Sequence, residues 1–311
     1  MLKTFKSLSN CKLCPHNCGI DRYSNKTGYC GSNAGFNISS IVLHKGEEPV
    51  ISGKNGICNI FFSRCNLQCI YCQNKQISCN KGDVISRNYK LEEAVNEIIA
   101  ILDQHKINSV GFVSPSHYVP HVISIIEALR SKGRNPITVY NTNAYDKEST
   151  IRQLESYISV YLPDFKYIDE DLAKSLSGVS NYPEIAKKAI KEMFYQKGST
   201  LIKNEDGIAE SGLIIRHLVL PEKIENSLNV LRFIAEELSP DISLSLMAQY
   251  HPVNKFESYT FLNRKLNTEE YEIVVKESEN LGFHRGWNQE LDSSDEYLPD
   301  FNNKQPFEKQ M

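Results

Sequence analysis

Several features are missing from this sequence, and each absence excludes something. No run among its 311 residues is long and apolar enough to span a bilayer as a helix. Neither sign of charge is in excess: 35 Lys and Arg stand against 38 Asp and Glu, a net charge of -3. That balance gives no electrostatic ground for a nucleic-acid partner or an anionic membrane surface. The opening stretch MLKTFKSLSN has lysines but no apolar run behind them, so no secretory signal is expected, and a cytoplasmic location is. There is no internal repeat, heptad seam or low-complexity tract. Beyond Cys79 the chain has no cysteine at all.

What is present is a thiol-rich first quarter. The nine cysteines are Cys11, Cys14, Cys18, Cys30, Cys58, Cys65, Cys69, Cys72 and Cys79. An odd, clustered set in a reducing compartment points to metal or cluster binding rather than to disulfides. The remaining composition, 41% apolar and 23% charged, is that of a folded globular chain with a sizeable core, in one large domain or two.

Three textures divide the chain. Residues 1–53 are rich in Cys, Gly, Asn and Ser, with one strand expected at Phe36–His44. Residues 54–285 alternate β-rich runs with helical patterns. Residues 286–311 read as a polar, irregular tail. In the middle region, strands are expected at Cys58–Ser63, Ser109–Ser114, Ile137–Thr142, Ser159–Lys166, Leu213–Leu220 and Ile242–Gln249. Most are continuous apolar runs, the pattern of strands covered on both faces. Helices are expected near Leu91–Gln104, His121–Ser131, Lys147–Glu155, Pro183–Gln196, Glu225–Leu238 and Thr268–Leu281. Six β-then-α units imply an α/β fold with a parallel sheet and right-handed crossovers. Six units fall short of a closed eight-fold barrel, so the reading is an open, partial (β/α)6 barrel with a small N-terminal Cys-rich segment; a doubly wound sheet is the alternative. Either architecture places a ligand at the C-terminal strand ends. There the Cys65 loop, Ser114–His117, Asn141–Asn143, Asp164–Lys166, Arg216–Leu220 and Gln249–His251 should converge.

The stretch CNLQCIYC places Cys65, Cys69 and Cys72 at C-x3-C-x2-C directly after the first strand of this set. Thiolates suit iron–sulfur clusters and zinc. Structural zinc and simple [4Fe–4S] carriers both use four protein ligands, whereas three thiolates on a cubane leave one iron open to a small molecule.

With an aromatic, Tyr71, before the third cysteine, and six β/α units around it, this triad resembles the radical S-adenosylmethionine (SAM) enzymes. Among these it is most similar to pyruvate formate-lyase-activating enzymes and to uncharacterised relatives with an extra N-terminal cysteine region. The resemblance spans residues 11–285. It implies a [4Fe–4S] cluster on Cys65, Cys69 and Cys72, with SAM chelating the open iron. It also implies reductive cleavage to methionine and a 5′-deoxyadenosyl radical, and hydrogen abstraction from a substrate, in activating enzymes a protein. It implies an electron donor such as flavodoxin or ferredoxin.

The resemblance extends to mouth residues. PDFK resembles an Asp-x-Lys strand end and would set Lys166 on the SAM carboxylate with Asp164 beside it. IIRHLVLP makes Arg216 a candidate SAM contact, and His217, on the opposite face, a packing residue. AQYHP places His251 near the SAM ribose. NTNAY offers Asn141 and Asn143, with Ala144 where the family commonly has Gly. The family's Gly-Gly-Glu motif, which holds the SAM amine, is replaced by VSPSHY. Ser114 and Ser116 are then the weaker candidates, against a proline-stiffened turn.

The N-terminal cysteines Cys11, Cys14, Cys18 and Cys30 form C-x2-C-x3-C-x11-C, which can close a zinc site or hold a second iron–sulfur cluster; ligand type is the same for both. His16 reads as solvent-exposed, Cys58 as core and Cys79 as an exposed spare. The reading from another class is a non-catalytic zinc or iron–sulfur protein without a SAM pocket.

Overall fold

The computed structural model describes residues 4–24, 26–295 and 298–307. The parts of the expected tail at 296–297 and 308–311 lie outside these. After an N-terminal 3-10 turn (Thr4–Asn10), the chain runs through β1 (Phe36–His44), a one-turn helix α1 (Pro49–Ser52), β2 (Ile57–Phe62), a one-turn helix α2 (Lys75–Ser78) and β3 (Arg87–Tyr89). Alternation follows: α3 (Leu91–His105), β4 (Ser109–Val113), α4 (Val119–Ser131), β5 (Ile137–Thr142), α5 (Glu148–Leu154) and β6 (Val160–Pro163). A helix pair comes next, α6 (Glu170–Ser177) and α7 (Tyr182–Lys197), then β7 (Ile202–Lys203), β8 (Ala209–Leu218), α8 (Ile224–Glu237), β9 (Ser243–Met247), α9 (Thr268–Asn280) and β10 (Gly286–Asn288).

The sheet order is β10-β9-β8-β6-β5-β4-β2-β1-β3, with β7 pairing on β8. From β2 to β10 every neighbouring pair along that path is parallel, while β1 runs antiparallel to both β2 and β3. The path ends at two open edges, so the sheet is a partial barrel. The strands that read as apolar runs are covered on both faces: every residue of β2, β4, β6 and β9 is buried.

The helices follow their sequence signals. Ala94, Val95, Ile98 and Leu102 form the buried stripe of α3. Asn267 caps α9 and shares a capping box with Glu270, one residue before the expected start.

Both ends of the described chain join the central sheet. The strand of the N-terminal segment, β1, pairs with β2 along six registered positions. The tail read as irregular contributes β10, which adds to β9 in parallel; a Cβ on Gly286 would sit 1.8 Å from the Leu244 carbonyl oxygen, so only glycine permits that approach. Farther on, Phe301 packs edge-on and Phe307 tilted against Phe61, at 5.3 and 5.5 Å between ring centroids.

Candidate functional site

The C-terminal strand ends open into one cavity of about 300 Å³. Its wall includes Cys65, Cys69, Cys72, Ser114, Asn141, Asn143, Asp164, Lys166, Arg216 and Gln249, whereas Ser116 is buried on Thr142 and His117 lies on the wall of another cavity. His251 is half-buried and is not among the lining residues, although Gln249 and Tyr250 are. The tail enters the wall through Trp287, Gln289 and Phe307.

The cysteine loop is fixed by its neighbours. The Ile70 and Gln68 N–H groups donate to the carbonyls of Leu176 and Ser177, at 2.9 and 3.4 Å, which are the free acceptors at the end of α6. Asn66 Nδ2 donates to the Tyr145 carbonyl at 2.7 Å, and Asn143 Nδ2 donates to Asn66 Oδ1 at 2.8 Å.

Each thiol of the triad also accepts a side-chain hydrogen bond. Asn143 Nδ2 reaches Cys65 Sγ at 3.3 Å, Ser177 Oγ reaches Cys69 Sγ at 2.9 Å, and Ser78 Oγ reaches Cys72 Sγ at 3.3 Å. Asn143, which also lines the cavity, thus holds the cysteine loop.

The positive φ values agree with this packing. Ser114 and Ala144, at φ 54° and 61°, both take the left-handed conformation that glycine adopts freely. Ala144 therefore keeps the conformation expected of the glycine it replaces.

Burial is the main cause that pushes the Cys65 thiol up to about 12; the Leu67 N–H opposes it and the neighbouring thiols add to it. Cys69 and Cys72 are raised for the same first reason. Such thiols become ligands only when a metal displaces their protons. The charge of Lys166 favours the thiolate at all three positions.

Lys166 Nζ meets Asp164 Oδ2 at 2.7 Å. Burial lowers the Lys166 pKa, but Asp164 and the thiols overcome it, and the net direction is up. Lys166 is therefore a fixed cation facing the cavity. Among the described residues no group of three His, Cys, Asp or Glu side chains is placed to hold a single metal ion. The triad fits a cubane better, because a cubane takes each thiolate on a separate iron.

Arg216 lines the cavity and is paired with two carboxylates. Its Nε and Nη2 donate to Glu48 at 2.8 and 2.7 Å, and Nη2 also contacts Glu47. Glu47 Oε1 in turn accepts from Asn59 Nδ2 at 2.7 Å. Burial would raise Glu47, yet Arg216 and His44 hold its carboxyl down at about 2. Both glutamates line the cavity, so carboxylates enter it from the segment before α1 although VSPSHY has none. Sequence reasoning missed them because an EE pair in a GEEP turn reads as a solvated charge run.

The N-terminal cysteines also come together. Cys11, Cys14, Cys18 and Cys30 line one small cavity of about 10 Å³, with His117 on its wall. His117 Nε2 donates to the Ser63 carbonyl at 3.2 Å, and Nδ1, buried, has no hydrogen-bond partner among the described residues. His16 is half-buried, stacked on Tyr29 at 3.6 Å between centroids, and donates from Nε2 to the Asn66 carbonyl at 2.8 Å. The expectation of an exposed His16 is corrected: it docks the N-terminal segment on the cysteine loop. Cys58 is fully buried, Cys79 is exposed, and His217 is buried between Phe165 and Ser227, all as expected.

The sequence model of the radical SAM superfamily matches residues 59–198. An uncharacterized protein of Methanocaldococcus jannaschii is 31% identical over 274 residues, covering 87% of this chain and 74% of that protein. The chain belongs to the radical SAM superfamily. Solved structures similar to this radical SAM chain include Streptococcus suis SuiB bound to S-adenosylmethionine, with 19% identity, a TM-score of 0.48 and coverage of 73% of this chain and 48% of that one. A domain of a pyruvate-formate lyase-activating enzyme from Bacteroides vulgatus gives 15% identity, a TM-score of 0.40 and coverage of 55% and 93%. The radical SAM chain thus spans about half the length of SuiB. No helix among the described residues is long and apolar enough to cross a membrane.

Proposed function

We propose that this chain binds a [4Fe–4S] cluster through Cys65, Cys69 and Cys72 and cleaves SAM reductively in the adjoining cavity. The observation that carries the reading is the wall of three hydrogen-bonded thiols, Cys65 buried and Cys69 and Cys72 half-buried, beside a fixed cation, Lys166, in one cavity of about 300 Å³. When bound, the cluster would supply the electron that splits the SAM sulfur–carbon bond and leaves a 5′-deoxyadenosyl radical for hydrogen abstraction. Lys166, kept charged by Asp164, receives the SAM carboxylate; Ser114, at the end of β4, faces the same cavity and offers its hydroxyl. The buried side chains of Phe61, Leu67 and Val113 exclude water from one wall.

The hydrogen donor is a protein or peptide, as in glycyl-radical activation, and the electron donor is a small flavodoxin- or ferredoxin-type carrier. Both assignments rest on the resemblance to activating enzymes. The test is anaerobic reconstitution with iron and sulfide, followed by SAM and a strong reductant. The proposal expects 5′-deoxyadenosine and methionine; a chain with full iron content that forms neither overturns it.

A second reading concerns the N-terminal thiols. We propose that Cys11, Cys14, Cys18 and Cys30 hold a second iron–sulfur cluster rather than the single zinc ion of the alternative, since no group of three is placed on one ion among the described residues. Their shared cavity and the unpartnered Nδ1 of His117 on its wall support it.

A further inference from the structure

Four side chains form a hydrogen-bonded chain that ends on one thiol of the triad. Ser177 Oγ lies 2.9 Å from Cys69 Sγ, Tyr167 Oη lies 2.8 Å from Ser177 Oγ, and Tyr71 Oη lies 2.5 Å from Tyr167 Oη. All three hydroxyl-bearing residues are buried, Ser177 and Tyr167 completely.

The direction of the protons follows from the chemistry of the end group. A metal-bound thiolate carries no proton and only accepts, so Ser177 donates to Cys69. Ser177 then accepts from Tyr167, and Tyr167 accepts from Tyr71. Each bond in such a chain polarises the next, so the hydroxyl at the thiol is a stronger donor than an isolated serine.

We propose that Ser177, backed by Tyr167 and Tyr71, is a positioning residue that raises the reduction potential of the cluster held by the triad. Reduction places more negative charge on the sulfurs, and a donor aimed at a sulfur stabilises the reduced form more than the oxidised one. The far end of the chain, Tyr71, is itself part of the cavity wall, so the relay runs from the proposed SAM cavity to the cluster ligand. Ser177 is also the last residue of α6, whose terminal carbonyls hold the loop, so one helix end both places and tunes Cys69. The inference rests on the function proposed above.

The test is a redox titration of the full chain, reconstituted anaerobically, with the reduced cluster followed by electron paramagnetic resonance. Ser177→Ala is expected to keep the iron and sulfide content and to shift the midpoint potential downward; Tyr167→Phe gives a smaller shift of the same sign, and Ser177→Thr stays near the parent. A fully loaded Ser177→Ala variant with an unmoved potential overturns the inference and leaves the proposed function standing. A parent chain that takes up no cluster overturns both. Should Ser177→Ala fail to load, Tyr167→Phe and Tyr71→Phe, which leave Ser177 in place, carry the test: unmoved potentials in both overturn it.

Discussion

His16 and Asn66 meet at 2.8 Å, imidazole Nε2 on backbone carbonyl, and so couple the N-terminal thiol segment to the loop of Cys65. Metal in the N-terminal segment is therefore expected to stiffen the cluster loop as well. Replacing Cys14 and Cys30 with Ser should remove the N-terminal metal centre and lower cluster occupancy at Cys65, Cys69 and Cys72. Iron, zinc and sulfide analysis of both proteins checks this; equal metal content in the two discounts the N-terminal centre.

Cys69→Ala removes the thiol that Ser177 holds and should abolish 5′-deoxyadenosine formation while leaving the fold intact. If the chain were only a metal carrier, this variant would lose part of its metal and there would be no SAM cleavage to lose. Product analysis beside far-ultraviolet circular dichroism separates the two.

Lys166→Gln keeps the length of the side chain roughly but deletes the charge, leaving Asp164 without its cation. A charged hydrogen bond of this kind is worth about 1.5–3 kcal/mol, so SAM affinity should fall on the order of 10- to 100-fold. Equilibrium binding of SAM measures it, and an unchanged dissociation constant would move the carboxylate contact to another residue.

Glu47 gives the chain an acid-sensitive element. Its folded value lies near 2 against 4.5 when free, so its contribution is present above pH 4.5 and is lost as pH falls from there toward 2. The amount is on the order of 3 kcal/mol. Glu47→Gln should flatten the stability profile in that window, as read by urea midpoints at stepped pH. A variant whose profile still falls as steeply assigns the acid limb to other groups.

Gly111, in the middle of β4, is needed for a side chain rather than for its own backbone. A Cβ there would lie 2.0 Å from Asn59 Oδ1, and Asn59 is the residue that supports Glu47. Gly111→Ala should cost about 1–3 kcal/mol by overpacking and should shift Glu47 on the cavity wall through Asn59. Thermal unfolding together with SAM binding checks it; both unchanged would mean that Asn59 has room to rotate.

The sheet was readable because β2, β4, β6 and β9 are buried on both faces, and continuous apolar runs have few other uses. The cysteine triad was readable because its spacing is local. The parts that escaped depend on distance in sequence. β3 and β10 are three residues each and are held by pairing rather than by propensity. Glu47 and Glu48 become a site only through Arg216, far along the chain. Helix α6 carried legible signals, an Asp169 cap and a Gly178 terminus, but its short polar-rich face has no long apolar stripe. Tyr167 and Ser177 reach Cys69 from about a hundred positions away, and no spacing rule connects them.

Because the carbonyls of Leu176 and Ser177 hold the loop of the three thiols, the last turn of α6 is mechanically part of that loop. A substitution that frays this turn would therefore disturb the sulfurs without touching any of them.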